Sequence, residues 1–302
     1  MAMAEATQPS GDRVNRTAYN LAFDTPLPFF QHLNQSPSGA DMFAGYMSSL
    51  DVAGGTAQHH LLRAFDWAAL GDAHVVDHAL PTPPLHGAGP PRRDPPSPSP
   101  SPRSNPNPEP IPIPIPNPTH RPNPKIHLTP HDFFTPQPPP IAQTANIYLL
   151  RRILHNWPDH HAIQILQHLV DAMSTKISLD RQTQHSGSKS PPQPPLLFIM
   201  DTILPASPGE ITAYQEGLLR MRDLVMGQSF NSGERGWEGW VRLLRATTPP
   251  LRVVRPVVKP VGSHMSGLVL GVDVDVAVDF DFDGVGGEEG IWSVRFFFLS
   301  II

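Results

Sequence analysis

Four side chains able to do chemistry crowd into one heptapeptide, HNWPDHH, at residues 155–161: His155, Asp159, His160 and His161. Histidine exchanges a proton near neutrality without any help from its surroundings, so a positioned His155 can act as a general base. The same residue types can also hold a metal. Two ligands on a helix normally sit three or four residues apart on one face. His155 and Asp159 instead span the start of a helix, and the run offers no evident third ligand for a tetrahedral zinc site. The spacing therefore favours proton transfer, with no metal.

The surrounding elements say where the heptapeptide must lie. Ile147, Tyr148, Leu149 and Leu150 form a short apolar run that reads as a buried strand. After the heptapeptide, Ala162, Leu166, Leu169, Val170 and Met173 recur at three and four residues, which is helical spacing. Pro158 sits where a first helical turn tolerates it, and Asp159 places a carboxylate at the positive end of the helix. His155 thus falls on the turn leaving the C-terminal edge of a strand, where ligands bind in open α/β sheets. Further along, residues 174–195 read as a long Ser/Pro/Gln-rich loop, and LLFIMD at 196–201 as a fully buried strand ending at Asp201. Residues 214–226 look like an amphipathic helix, and Trp237, Trp240, Val241 and Leu244 form an apolar stripe. Residues 251–258 and 266–272 read as the last two strands, joined by GSHM.

In this order the runs resemble the S-adenosylmethionine-dependent small-molecule O-methyltransferases of plants and fungi, the caffeic acid O-methyltransferase type. The family carries a strand, an H-[DN]-W-x-D motif and a helix, matched here by His155, Asn156, Trp157 and Asp159. The resemblance implies a Rossmann-like α/β fold of the class I methyltransferase kind, incomplete here, with helices before it. It implies that His155 takes the proton from the acceptor hydroxyl, flanked by Asp201 and by Glu234 of the run NSGERGWEGW. Read alone, Asp201 is a strand-end turn residue and Glu234 a carboxylate at a helix start.

The remaining site residues carry the same two readings. Met42, Phe43, Tyr46 and Met47 share one helical face, which spacing alone makes core-facing. The resemblance puts Phe43 and Met47 against the aromatic acceptor. Asp132 and Phe133 match the acidic and apolar pair at the adenine end of the cofactor, although an Asp beside two Phe also suits a plain loop turn. Arg151 falls at a position near the cofactor, and Asp77 ends a first strand at residues 73–77. The implied cofactor is S-adenosylmethionine, and the implied partner is a small aromatic or polyketide-like hydroxyl acceptor of secondary metabolism. Family members dimerise through an additional N-terminal helical domain, most of which has no counterpart in this chain.

The chain also departs from the family. After Asp77 the expected glycine loop is replaced by His78, Ala79, Leu80 and Pro81, and the acid expected at the ribose hydroxyls has no match. From there 24 of the 60 residues 81–140 are proline. Proline donates no backbone hydrogen bond, so this stretch is expected to be polyproline II or disordered rather than sheet core. It reads as a linker, as a ligand for SH3 or WW domains, or as translated intron from a misjoined reading frame. The tail 273–302 alternates acidic and apolar residues, extends past the family's usual end, and points to the same misjoining. The expected organisation is disorder over 1–16, a helical substrate-side segment over 17–60, and the methyltransferase domain over 61–80 and 126–272. Between and after these lie the proline-rich segment 81–125 and the tail.

Composition sets outer limits. The 302 residues include 39 prolines, far above the usual share of about 5%. A net charge of −5 argues against nucleic acid as a partner. Zero cysteines exclude disulfides and thiolate sites and fit an intracellular, cytoplasmic protein. The first residues lack a signal-peptide core, and no run approaches the roughly 20 apolar residues of a membrane span. Two rival functions stand beside the methyltransferase: a non-catalytic remnant of one, and a proline-rich interaction protein.

Overall fold

The computed structural model describes residues 16–52, 54–78, 129, 131–184 and 193–272. The proline-rich segment, the tail and most of the N-terminal segment lie outside the described residues. All elements below belong to one unit, Met1–Thr82 with Asp132–Ile302; the other, Pro83–His131, falls almost wholly outside the description.

Thr17 opens the first helix with a reciprocal cap, its hydroxyl accepting from the Asn20 amide while the Asn20 side chain accepts from the Thr17 amide. Helices α1 (Ala18–Ala22), α2 (Phe29–Leu33), α3 (Pro37–Val52) and α4 (His59–Ala64) precede strand β1 (Val75–Asp77). A short helix α5 (Pro139–Thr144) leads into β2 (Ile147–Arg151), and a 3₁₀ turn at Leu154–Asn156 into α6 (Asp159–Gln184). The chain continues through β3 (Leu196–Asp201), β4 (Ile203–Leu204), α7 (Ala213–Phe230), β5 (Arg235–Gly236) and α8 (Trp237–Arg245). It closes with β6 (Leu251–Val253) and β7 (Ser266–Val272).

Five strands form one sheet in the order β1-β2-β3-β7-β6, parallel through β3 and antiparallel at β7 and β6. The register Ile147↔Leu196 through Arg151↔Met200 brings the ends of β2 and β3 level, so their C-terminal turns open side by side. Strand alternation sends Tyr148, Leu150, Leu197 and Ile199 to one face, under Ile165, Leu166, Leu169 and Met173 of α6 and Trp240 and Leu243 of α8. It sends Ile147, Leu149, Phe198 and Met200 to the other, against Ala64, Phe65 and Met265. Both faces are covered, which is why the strands read as continuous apolar runs. This is a Rossmann-like α/β sheet, and among the described residues β1 pairs with β2 alone.

Three expectations need correction. The loop expected from residue 174 is helix as far as Gln184: Thr175 and Ser178 turn their hydroxyls back onto the carbonyls of Asp171 and Ser174, and Lys176 pairs with Asp180 at 2.7 Å. Hydroxyls satisfied within the helix no longer compete with it, and an i,i+4 ion pair supports it. The apolar face of α3 is not core. Met42 and Tyr46 are exposed at 73% and 56%, while Phe43 is half-buried against Phe29 and Phe30. The strand expected over 251–258 ends at Val253; the Val254 amide still reaches the Val269 carbonyl of β7 at 2.8 Å, and Val258 rejoins β7 by a bridge to Gly267.

No helix of the described residues is long and apolar enough to cross a membrane. At Gly267 the sheet and α4 come closest: a Cβ there would stand 2.8 Å from the Phe198 ring and 3.1 Å from the Ala64 Cβ. Phe198 is fully buried and has nowhere to swing. Gly267→Val is therefore expected to cost ~1–3 kcal/mol through overpacking, read as a lower denaturant midpoint.

Candidate active site

The backbone leaves β2 abruptly. Arg152 takes a left-handed conformation, φ +55°, and its amide still reaches the Met200 carbonyl of β3 at 3.1 Å. A non-glycine residue in that region is uncommon and marks a constrained turn. The Leu154–Asn156 turn follows closely, with Leu154 and Asn156 buried and His155 between them partly buried. Asn156 returns its side-chain amide to the Arg152 carbonyl at 3.3 Å. Trp157 packs edge-on against Phe133 and Phe134, so the 132–134 turn braces the far side of the motif.

Arg235 holds this turn in place. Its guanidinium donates to the Leu154 carbonyl at 2.8 Å, the Trp157 carbonyl at 2.7 Å and Asp159 Oδ1 at 2.9 Å, and it lies 5.7 Å from the Trp240 ring. One planar fork thus bridges Leu154 and two residues of the HNWPD run, Trp157 and Asp159, with a spread of donors that the single nitrogen of an ammonium does not match. The two-residue ladder of β4 and β5, Ile203↔Arg235 and Leu204↔Gly236, anchors the arginine beside the end of β3. Trp240 donates from its indole to the Thr202 carbonyl at 3.1 Å and secures the same junction.

That ladder also delivers the acids. Glu234 immediately precedes β5, its amide fixed by Asp223 Oδ1 at 2.9 Å, and Asp201 ends β3 with its Oδ1 accepting from the Thr202 amide at 3.0 Å. His155 Nδ1 lies 3.0 Å from Glu234 Oε1 and 3.5 Å from Asp201 Oδ1. The side chains of Asp201 and Glu234 are 1% and 2% exposed, and that of His155 14%. Ionised carboxylates only accept, so Nδ1 carries the proton and Nε2 is left as the acceptor on the more open side of the ring.

Burial pushes the His155 pKa down, but Asp201 and Glu234 outweigh it and raise the value above the usual one. Burial raises the carboxyl of Asp201, reinforced by Glu234 and opposed by His155. For Glu234 burial works upward too, and His155, Arg222 and Thr202 bring it below the ordinary value. The three donor atoms lie within 4.8 Å of one another, close enough to share a cation. Reading the heptapeptide for metal ligands missed this grouping, because its other members come from the end of β3 and the residue before β5.

The structure distributes the other expected residues less simply. Phe43 and Met47 are half-buried on α3, Phe43 within an aromatic cluster with Phe29 and Phe30. Asp132 is the turn residue that its neighbours suggested, its Oδ1 accepting from the Phe134 amide at 3.0 Å, and Phe133 is buried in the core. Arg151 spends its guanidinium on Asp51 at 2.9 Å and on the Thr56 carbonyl at 2.5 Å, tying the end of α3 to β2. Asp77 stands at the C-terminal end of β1, within the field of Arg151. Sequence reasoning missed the roles of Arg235, Asp223 and Trp240. The E-R pair was a visible signal, but nothing local said what the arginine would hold.

No protein-family profile matches the chain. Individual sequences do match. The chain is 36% identical over 273 residues to O-methyltransferase pgmB of Aspergillus terreus, covering 88% of this chain and 69% of that protein. It is 35% identical over 271 residues to O-methyltransferase VdtC of Byssochlamys spectabilis, covering 88% and 57%, and 33% identical over 287 residues to aurJ of Gibberella zeae, covering 91% and 59%. The chain belongs to this family of O-methyltransferases, and spans less than three fifths of the length of VdtC and aurJ. Among solved structures, the LepI complex with SAM superposes at TM-score 0.55 with 20% identity, over 90% of this chain and 62% of LepI. NcsB1 from neocarzinostatin biosynthesis, in complex with S-adenosylmethionine and 2-hydroxy-5-methyl naphthoic acid, gives 0.52 with 18% identity, over 90% and 68%. These likenesses establish the fold.

Two measurements probe the site. Arg235→Lys removes the fork and is expected to cost ~1–3 kcal/mol of stability, seen as a lower denaturant midpoint. Glu234→Gln is expected to lower the His155 pKa, followed by NMR of the ring during a pH titration. Because that pKa is raised, the stability His155 contributes is complete below its unfolded value of about 6.5 and fades as pH rises through the folded value.

Proposed function

We propose that the chain is the acceptor-activating part of an O-methyltransferase, with His155 as the base that takes the proton from a hydroxyl of a small aromatic or polyketide-like molecule. The observation that carries this reading is the imidazole held at Nδ1 by Glu234 and Asp201, with Nε2 left to accept a proton. A phenol with a pKa near 10 is a poor nucleophile at neutral pH, and removing its proton as the bond forms is worth about 10² to 10⁴ in rate. The two buried carboxylates keep the ring in the right tautomer and stabilise the imidazolium that results. Phe43 and Met47 would give the acceptor ring an aromatic contact and a soft thioether contact.

S-adenosylmethionine, with which LepI and NcsB1 are each seen, would supply the methyl group. The residues present fit the acceptor end better than the donor end. Asp77, Asp132, Phe133 and Arg151 are the residues available to the donor. Of these, Asp132 caps a turn, Phe133 is packed in the core, and Arg151 is tied to Asp51. His78, Ala79, Leu80 and Pro81 follow Asp77 where glycines would let the backbone approach a ligand.

The three converging donors also support a second reading, a metal bound by His155, Asp201 and Glu234. Coordination would draw them to about 2.0–2.2 Å from the ion, displacing the Nδ1 proton that the carboxylates now accept. One assay separates the two. His155→Ala is expected to lower turnover at least ~10²-fold while leaving donor affinity unchanged, and a chelator is expected to change neither. Chelator-sensitive turnover would favour the metal. Loss of donor affinity with intact turnover would remove His155 from the role of base.

A further inference from the structure

We infer that the acceptor bears a carboxylate close to the hydroxyl it presents to His155, and that Arg222 receives that carboxylate; this rests on the methyl-transfer reading of the His155 site. The argument begins with the faces of α7. Met221, Leu224 and Val225 are exposed, whereas Leu219 is 2% exposed and faces inward. Arg222 and Asp223 lie three and four residues beyond Leu219, and residues at that spacing share a face. Asp223 fits this placement, since it accepts from the Glu234 amide at 2.9 Å, and α7 packs against the Leu154–Asn156 turn that carries His155. Arg222 therefore stands on the same side of the helix, one position away, with Glu234 as a neighbour it shares with His155. Its charge is felt by Glu234, Arg152 and His264.

What distinguishes Arg222 is that it is unmatched. Each arginine that brackets it has an acceptor: Arg151 and Arg152 reach Asp51, Arg220 reaches Glu216, and Arg235 reaches Asp159 and two carbonyls. Arg222 is half-buried, and among the described residues no hydrogen bond or ion pair is made to it. Glu234 is near, but no ion pair joins the two: its Oε1 is taken by His155, and its buried Oε2 has no hydrogen-bond partner among the described residues. A guanidinium has five donors in a rigid fork that matches a carboxylate, and holding one partly out of water without an acceptor is unfavourable. An acceptor supplied by the bound molecule resolves this.

The surroundings suit an anion. Lys259 and His60 lie in the electrostatic neighbourhood of His264, and Arg222 is part of it. The wall on that side is fixed: His60 binds the Gly54 carbonyl at 2.9 Å, the His264 amide binds the Gly55 carbonyl at 2.8 Å, and the His264 ring fills the place where a Gly55 Cβ would be. Asp51, the carboxylate beside Arg152, is already engaged by two arginines. An aromatic hydroxy acid would therefore find a base at one end and an unmatched guanidinium at the other, both adjoining Glu234.

The test uses the full chain, calorimetric titration and two probes that differ only in charge, 3-hydroxy-2-naphthoate and its methyl ester. The acid is expected to bind at least ~10-fold more tightly than the ester, in line with a charge-assisted bidentate pair. Arg222→Met should bring the acid to parity and leave ester affinity unchanged, which also reports that the site is still folded; Arg222→Lys should keep part of the preference. Equal binding by the unmodified chain, binding of neither probe, or a preference that survives Arg222→Met would each overturn the inference. An arginine that only tunes Glu234 predicts the last of these. In His155→Ala the preference should persist, so a failure of the methyl-transfer reading would show as unchanged turnover in that variant with the acid preference intact.

Discussion

The site depends on one side chain that makes no hydrogen bond to His155. Arg235 gathers the Leu154 and Trp157 carbonyls and the Asp159 carboxylate into one plane, 8% exposed itself. Carbonyls in a 3₁₀ turn just before a helix have few internal partners, and buried ones need a donor. Because the same residue is half of the two-residue β4–β5 ladder, satisfying those carbonyls also sets how far Glu234 stands from His155. Stability of the turn and placement of Glu234 beside His155 are the same interaction seen from two sides.

The acids show how burial and proximity compete. Two carboxylates almost wholly removed from water repel each other and would both be driven toward neutrality. A single imidazole between them changes the outcome unequally: Glu234, closer at 3.0 Å and supported by Thr202 and Arg222, is pulled down, while Asp201 at 3.5 Å stays raised. The result is a coupled group that holds a proton on the ring more firmly than free histidine does. The charge state of the site therefore belongs to three residues together.

The residues singled out from the sequence differ in what the fold gives them to hold. Asp201 and Glu234 are buried with one oxygen each facing His155 Nδ1, while Asp201 Oδ2 and Glu234 Oε2 make no hydrogen bond among the described residues. Arg151 is a tether between α3 and β2, and Asp132 and Phe133 brace Trp157 through their turn. These contacts give the retained motifs structural work irrespective of any bound cofactor. They account for how the core around β2, β3 and α6 packs on both faces in a chain that spans less than three fifths of VdtC and aurJ.

Local order was legible in the amino-acid sequence because it is written in short periods. The strand at 147–151, the helix start at Pro158–Asp159, the buried run ending at Asp201 and the position of His155 on the intervening turn all follow from residues within a few places of each other. The resemblance in motif order added Asp201 and Glu234 as partners, but no spacing along the chain encodes their 3.5 and 3.0 Å separations from His155. Those come from the level register of β2 and β3 and from the β4–β5 ladder, which are pairings between distant segments. The same holds where local reading failed. The helix through Ser174 and Ser178 is allowed by hydroxyls that found carbonyls, and Met42 and Tyr46 are exposed because no element packs over that face of α3 among the described residues. Arg235 and Arg222 are both arginines near acids in the sequence. Only the tertiary structure makes one a clamp with each guanidinium nitrogen bonded and leaves the other without an acceptor among the described residues, because a long side chain's role is set by which acceptors the fold brings within its reach.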